Sequence, residues 1–392
     1  MLLSLALIFL CGMLLGGIFN KLKLPQLLGM LLTGIILGPY VLNLLDPSIL
    51  SISADLRQIA LIIILTRAGL NLDVADLKSV GRPAIFMCFL PASFEILGMI
   101  ILAPLLFKIH ILEAAVLGTV IAAVSPAVVV PKMLKLMDEG YGTSKSIPQL
   151  IMAGASVDDV FVIVLFTSFT GLASTGTFHA LDFLKIPTSI IFGLTGGIIS
   201  GLLLTQIFKR IHIRDSLKVL MILSVSFLLV TLEHSITGVI GFSGLLAVMS
   251  MGITIQKTKK IAAVRLSSKY SKLWVAAELL LFVLVGATVD INYALDSSVS
   301  AVLLIFGVLV FRMAGVFVCL LKTPLSKKER LFCMTAYTPK ATVQAAIGSI
   351  PLTMGLACGN TVLTIAVLSI LVTAPLGAFA IDKTYQKLLK KE

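Results

Sequence analysis

The sequence predicts an all-α polytopic membrane protein of about 13 transmembrane helices, laid out as an inverted repeat with two broken helices in corresponding places. Three observations predict it. The composition is too apolar for a soluble domain, the basic residues fall on one side of a series of apolar runs, and two of those runs, seven spans apart, are interrupted by prolines.

Hydrophobic residues make up 58% of the 392 and charged residues only 13%, with a mean hydropathy of +1.09. Globular domains carry about 45–50% and about 25% respectively. Reading apolar runs between charged or turn-rich breaks gives spans near 2–20, 24–42, 55–72, 83–106, 112–131, 147–171, 187–207, 217–232, 236–254, 272–289, 299–321, 331–351 and 361–381. The first, MLLSLALIFLCGMLLGGIFN, has no basic leader and no small-residue cleavage site, so it reads as a membrane helix rather than a signal peptide.

The net charge of +12 is a topology signal. Of the 31 Lys and Arg, all but Arg57, Arg67, Lys108, Lys185, Arg312 and Lys340 fall in or beside the loops of one face, which includes the tail from Asp382. By the positive-inside rule that tail is cytoplasmic and Met1 is outside. Nucleic-acid binding therefore drops out as a reason for the basic surplus. The five cysteines are scattered with no CxxC pair, and the four histidines lie near loops, so no cofactor, resident metal site or disulfide framework is expected.

Spans 1–6 and 8–13 align in layout across span 7, with the second set inverted because the offset is odd. In corresponding places, span 5 carries SPAVVVP (Ser125 to Pro131) and span 12 carries TPKATVQ (Thr338 to Gln344). A proline inside a helix removes a hydrogen bond and frees a carbonyl. In lipid that is tolerated only where the backbone is buried in protein or lines a cavity. One such site is an ordinary kink. Two at matching positions, one bearing a lysine, point to broken helices around a transported ligand.

The charges inside spans need explaining: Glu95, Asp158, Asp159, Arg312, Lys340 and, nearer the inner ends, Arg67 and Glu278. Each costs about 2.5–3.5 kcal/mol if left facing lipid. The first five lie roughly 9–13 residues into their spans, which at about 1.5 Å per residue is near the midplane. One structural ion pair explains two of them, not five. Three acids and two bases leave a site one negative charge short of neutral, which in low dielectric takes up one monovalent cation or one proton. Competition of those two for one carboxylate is the physical basis of antiport. Asp158 and Asp159 point about 100° apart on a helix, so one can face a base while the other faces the cavity. Arg67 and Glu278 sit on spans 3 and 10 and read as a structural or gating pair.

At these residues the chain resembles the cation:proton antiporters, in particular the two-aspartate NHA-type sodium/hydrogen exchangers of animals and their bacterial relatives. The stretches that carry the resemblance are LPQLLGMLLTGIILGP (24–39), RAGLNLD (67–73), SPAVVVPKML (125–134), GASVDDV (154–160) and TPKATVQAAIG (338–348). The resemblance implies two crossed broken helices and a homodimer in the membrane. It groups 1–80 and 211–295 as a dimerisation domain and 81–180 and 296–392 as a moving core transport domain, with 181–210 as the linking helix. It makes Asp159 the main Na⁺ ligand and proton carrier, with Asp158 beside it at the cation site. Asp158 is then expected to pair with Lys340, and Glu95 with Arg312. Ser125, Ser156 and Thr338 are candidate neutral ligands for Na⁺ or Li⁺. In one respect the chain departs from well-known electrogenic members: Arg312 stands on the helix before the second break, where they carry a lysine.

Exchange of Na⁺ or Li⁺ for H⁺ is the function this reading implies, and a K⁺/H⁺ antiporter or a cation channel of the same architecture is the alternative. An intramembrane aspartyl protease is excluded, because it needs its two aspartates on separate helices. The chain is thus expected to be a transporter, not an enzyme, and its length suits a bacterial inner membrane.

Overall fold

A computed structural model describes residues 1–72, 81–175, 185–211, 213–236 and 241–391, and these form helices throughout; the one β feature among them is an isolated bridge between Tyr141 and Lys391. In chain order the helices are α1 (Leu2–Lys21), α2 (Gln26–Leu37), α3 (Pro47–Ser51), α4 (Ser53–Asn71), α5 (Arg82–Met87), α6 (Leu90–Phe107), α7 (Ile111–Ile121), α8 (Pro126–Asp138), α9 (Ile147–Thr175) and α10 (Lys185–Arg210). They continue with α11 (Asp215–Ser235), α12 (Gly244–Thr258), α13 (Lys260–Ala287), α14 (Ile291–Asp296), α15 (Ser298–Cys319), α16 (Lys327–Ala336), α17 (Thr342–Ile347), α18 (Ile350–Thr353) and α19 (Gly359–Leu388).

Among the described residues, nine helical segments are long and apolar enough to cross a membrane, and α2 is a shorter apolar helix. Helices also lie at the remaining expected spans. There α4 carries Asp55, Arg57 and Arg67, α12 has 15 residues, and span 12 is broken into α16, α17 and α18.

At 260–271 the expectation fails. These residues, read as part of a loop, are helical: α13 starts at Lys260, well before the apolar run at 272. The cause is a buried stripe at helical spacing, Ala263, Leu266, Ser267, Tyr270 and Trp274, separated by exposed residues such as Arg265 and Lys269. A search for continuous apolar runs passes over such an amphipathic turn.

The chain divides into two compact units. Unit 2 holds residues 55–74 and 163–278. Inside it α10 packs against α12 through Gly193, Gly197 and Gly201; a Cβ on Gly197 would lie 1.8 Å from Ser250 Oγ. Small residues let two membrane helices approach to backbone contact, where dispersion replaces the hydrophobic effect as the driving force.

Unit 1 holds residues 1–54, 75–162 and 279–392 and contains the expected site. Its α2 meets the end of α13 just as closely, with a Cβ on Gly34 falling 1.9 Å from the Val283 carbonyl oxygen. Within it α6 and α15 pack along their lengths: Gly98 faces the Phe311 ring and Gly315 faces Pro91, both at distances that exclude a Cβ. That approach brings Glu95 of α6 and Arg312 of α15 to the same level. At the basic face of unit 1, Lys132 of α8 pairs with Asp382 of α19, and Lys145 pairs with Glu329 of α16 at 2.8 Å.

Candidate ion-exchange site

The two expected breaks are real. After Ile121 the chain leaves the helix for Ala122, Ala123, Val124 and Ser125, and α8 then starts at Pro126. Proline suits the first helical position, because its missing N–H would be unsatisfied there anyway, and it forces the preceding residue out of the α region. Ser125 accordingly sits at φ −86°, ψ 110°. The second break runs from Tyr337 to Ala341 around Pro339. The two meet directly, since the Ser125 N–H donates to the Pro339 carbonyl at 2.8 Å.

A broken helix inside a membrane exposes carbonyls at the end of its first half and N–H groups at the start of its second. Here buried side chains satisfy many of them. Arg312 Nε donates to the Tyr337 carbonyl at 2.6 Å, and Nη1 donates to the Ala122 carbonyl. Gln344 Nε2 donates to the Ile121 and Ala123 carbonyls at 3.1 and 2.9 Å, while its Oε1 accepts from Ala341 N at 2.8 Å. The Val124 N–H donates to Asp158 Oδ2 at 3.0 Å, and the Lys340 N–H donates to Thr373 Oγ1 at 2.9 Å. The carbonyl end of a half-helix carries partial negative charge, so a guanidinium at both breaks also suits the helix dipoles.

Four charges close on one another around these breaks. Arg312 reaches Glu95 Oε2 with Nη1 and Asp158 Oδ2 with Nη2, each at 2.7 Å, and Lys340 Nζ reaches Glu95 Oε2 at 2.6 Å. All four side chains are fully buried or within 1% of it. Two acids and two bases make this quartet neutral. The expected pairing is thereby corrected: Asp158 is held by Arg312, not by Lys340, and Lys340 sits on Glu95. Arginine presents five N–H donors in a planar fork and can serve two carboxylates and two carbonyls at once, whereas lysine acts as one point charge. The expected Glu95–Arg312 pair is present.

Asp159 is left over. It is half-buried on α9, one residue from the quartet, and among the described residues its carboxylate takes no hydrogen bond and no ion pair; Oδ1 is shielded from solvent and unpartnered. Further buried oxygens without a partner among the described residues belong to the quartet and the breaks: Asp158 Oδ1, Glu95 Oε1, Ser125 Oγ and Thr342 Oγ1. Ser125 does not use its hydroxyl to cap α8, although it stands at the N-cap position. Thr338 donates its hydroxyl to the Thr335 carbonyl at 2.9 Å and keeps its lone pairs. The side chain of Ser156 lies outside the described residues. Buried oxygens without donors are costly unless something positive visits them.

Arg67 and Glu278 both belong to unit 2, whereas the quartet's residues belong to unit 1.

The sequence reading passed over Gln344 and Thr373. Gln344 left a signal, an amide three residues after the N-cap of a half-helix, where a side chain can reach back to the N-cap N–H. Thr373 left none, because a threonine in a membrane helix usually bonds its own preceding turn, as this one also does with Ser369.

Known proteins show the same architecture. The solved structure of the sodium proton antiporter MjNhaP1 from Methanocaldococcus jannaschii at pH 8 superposes with a TM-score of 0.85 over 98% of this chain and 97% of that one, at 21% identity. An electron-microscopy structure of the same antiporter gives a TM-score of 0.75 at 24% identity. These likenesses concern the fold. In sequence, the chain is 34% identical to sodium/hydrogen exchanger 9B2 of Homo sapiens over 98% of its own length and 74% of that protein. It is 31% identical to sodium/hydrogen exchanger 9B1 of Homo sapiens, over 94% of the chain and 73% of that protein. The model of the family described as sodium/hydrogen exchanger, transmembrane, matches residues 5–384, and the chain belongs to that family.

Proposed function

We propose that this protein exchanges Na⁺ or Li⁺ for H⁺ across a membrane by alternating access, with the two ligands competing for Asp159. One observation carries the reading: four of the five midplane charges neutralise one another, and the fifth, the Asp159 carboxylate, has no partner among the described residues. A carboxylate without a counter-charge in a low-dielectric region is stable only when a proton or a cation neutralises it. Each therefore displaces the other, and the neutral loaded site is the form that crosses.

In this reading Asp158 is not a second carrier. Its charge is already met by Arg312, which does not release its proton. Asp158 instead fixes the first break through the Val124 N–H, while the unpartnered Asp158 Oδ1 and the Ser125 and Thr338 hydroxyls offer oxygen to a hard cation. The protein is a transporter, not an enzyme, and works without a cofactor.

The proposal carries the topology with it: thirteen crossings, the N-terminus outside, the C-terminus cytoplasmic, and a bacterial inner membrane as the setting. It also includes a homodimer whose dimerisation domain is formed by residues 1–80 and 211–295. The one-sided basic loops support the orientation, and the series of apolar runs supports the thirteen crossings.

The test uses purified protein in liposomes with a trapped pH dye and separate additions of Na⁺, Li⁺ and K⁺. Proton movement driven by Na⁺ or Li⁺ is expected. Proton movement with K⁺ alone makes the protein a K⁺/H⁺ antiporter, and cation flux without protons makes it a channel. No cation-driven proton movement from folded protein at any near-neutral pH ends the carboxylate-competition account.

A further inference from the structure

We infer that Gln344 is a positioning residue for the exchange: its single carboxamide pins the peptide plane that donates to Asp158 and the peptide plane that follows Lys340, and so sets the site's affinity for the cation. The inference rests on the exchange reading above.

The argument starts from which atoms share a peptide unit. The Ala123 carbonyl and the Val124 N–H belong to one planar amide. Gln344 Nε2 donates to that carbonyl at 2.9 Å, and the same plane's N–H donates to Asp158 Oδ2 at 3.0 Å. Gln344 thus holds the back of the plane whose front holds Asp158. Hydrogen bonds in such a chain polarise one another, so the Val124 N–H is a better donor while its carbonyl is engaged.

The same side chain acts on the other break. Gln344 Oε1 accepts from the Ala341 N–H at 2.8 Å, and that N–H belongs to the peptide following Lys340. Ala341 sits at φ −164°, ψ −77°, neither helix nor strand, and this bond holds it there. The peptide preceding Lys340 is fixed by Thr373 Oγ1. With both flanking peptides fixed, the lysine is aimed at Glu95. Gln344 is 1% exposed, so water does not substitute for it.

The chemistry is specific to an amide. Two carbonyls require donors and one N–H requires an acceptor, and glutamine supplies both from one side chain of the right length. Glutamate keeps the acceptor but points an oxygen at the Ile121 and Ala123 carbonyls. Methionine keeps the volume and loses every bond. Gln344 bears no charge and is bonded at both ends of its amide, so it is not itself an ion ligand.

The experiment compares wild type, Gln344→Glu and Gln344→Met in liposomes, reading the KM for Na⁺ and the pH at half-maximal exchange, with folding checked by size exclusion and thermal unfolding. Each folded variant is expected to raise the KM about tenfold, the size of one net hydrogen bond, and to shift the half-maximal pH. Gln344→Glu is expected to recover at acidic pH, where a protonated carboxyl again donates, and Gln344→Met is not. In an Asp158→Asn background the Gln344 effect on Na⁺ binding is expected to shrink, because it acts through Asp158. Unchanged KM and pH profile in either folded variant, or an effect fully additive with Asp158→Asn, overturns the inference. If wild type moves no protons on adding Na⁺, the exchange reading itself has failed, which is a different result.

Discussion

The two broken helices solve one problem in different ways. The first break, Ala122 to Ser125, has no charge of its own and borrows its partners: Arg312 and Gln344 serve its carbonyls, and Asp158 serves the Val124 N–H. The second break, Tyr337 to Ala341, brings its own cation in Lys340 and packs Tyr337 beneath Arg312, whose guanidinium carbon lies 5.2 Å from the ring centre. The difference teaches where each break is vulnerable. The first fails when a distant side chain is lost. The second leans on Arg312 and Gln344 as well, and fails in addition when its own packing is disturbed.

The largest effect expected is from Arg312→Leu, which strikes both breaks. It removes the partner of Asp158, one of two partners of Glu95, and the donors to the Ala122 and Tyr337 carbonyls. Breaking a buried pair from one side costs about 3–5 kcal/mol. Thermal unfolding in detergent is expected to show severe destabilisation, and Arg312→Lys is expected to rescue it only in part, because an ammonium lacks the fork. A full rescue by lysine would show that charge alone holds the breaks.

Gly154→Ala probes the second break, because Tyr337 is the neighbour that a Cβ there would meet first. A Cβ there would lie 2.1 Å from the Tyr337 hydroxyl oxygen and 2.8 Å from Met87 Cβ. Overpacking of this kind costs about 1–3 kcal/mol, read as a lower unfolding temperature. An undiminished unfolding temperature would mean that Tyr337 moves freely and the second break is looser than its packing implies.

A smaller effect belongs to Glu329, at the foot of α16, whose carboxyl is 4% exposed beside Lys145. Burial acts to raise its pKa, but hydrogen bonds from Lys145 and from the Ser326 N–H and hydroxyl outweigh that and hold it below the usual value. A lowered folded-state pKa contributes stability above the ordinary glutamate value of about 4.3 and loses it as pH falls through the folded value. Acidification through that window is expected to lower the unfolding temperature of wild type more than that of Glu329→Gln. The difference should be about 1 kcal/mol or less. Equal pH dependence would remove Glu329 as a contributor.

The smallest effect on stability is expected from Ser125→Ala at the first break. Its hydroxyl has no partner to lose among the described residues, so stability, read from thermal unfolding, should hold within about 0.5 kcal/mol. The KM for Na⁺ should nevertheless rise, because the oxygen is kept for the cation. An unchanged KM would leave Ser125 without a role at the site.

The sequence announced the site's charges because burying Glu95, Asp158, Asp159, Arg312 and Lys340 in membrane spans is too costly to be accidental, and it announced both breaks through Pro126, Pro131 and Pro339. It did not assign partners. Depth along a span says which side chains share a level, but rotation about the helix axis decides which of them touch, and that depends on glycine contacts such as Gly98 against Phe311. Hence Arg312 emerged as the hub for two carboxylates where separate pairs had been expected. The start of α13 was hidden for a related reason: its buried stripe repeats every three to four residues and so never forms a continuous apolar run.

The most direct test of the central claim is Na⁺-driven proton movement by Asp159→Asn in liposomes, measured beside wild type with folding verified by thermal unfolding. An amide cannot exchange a proton for a cation, so the account predicts a folded protein with no coupled movement. Retained coupling in the folded variant would contradict it and move the carrier to another carboxylate.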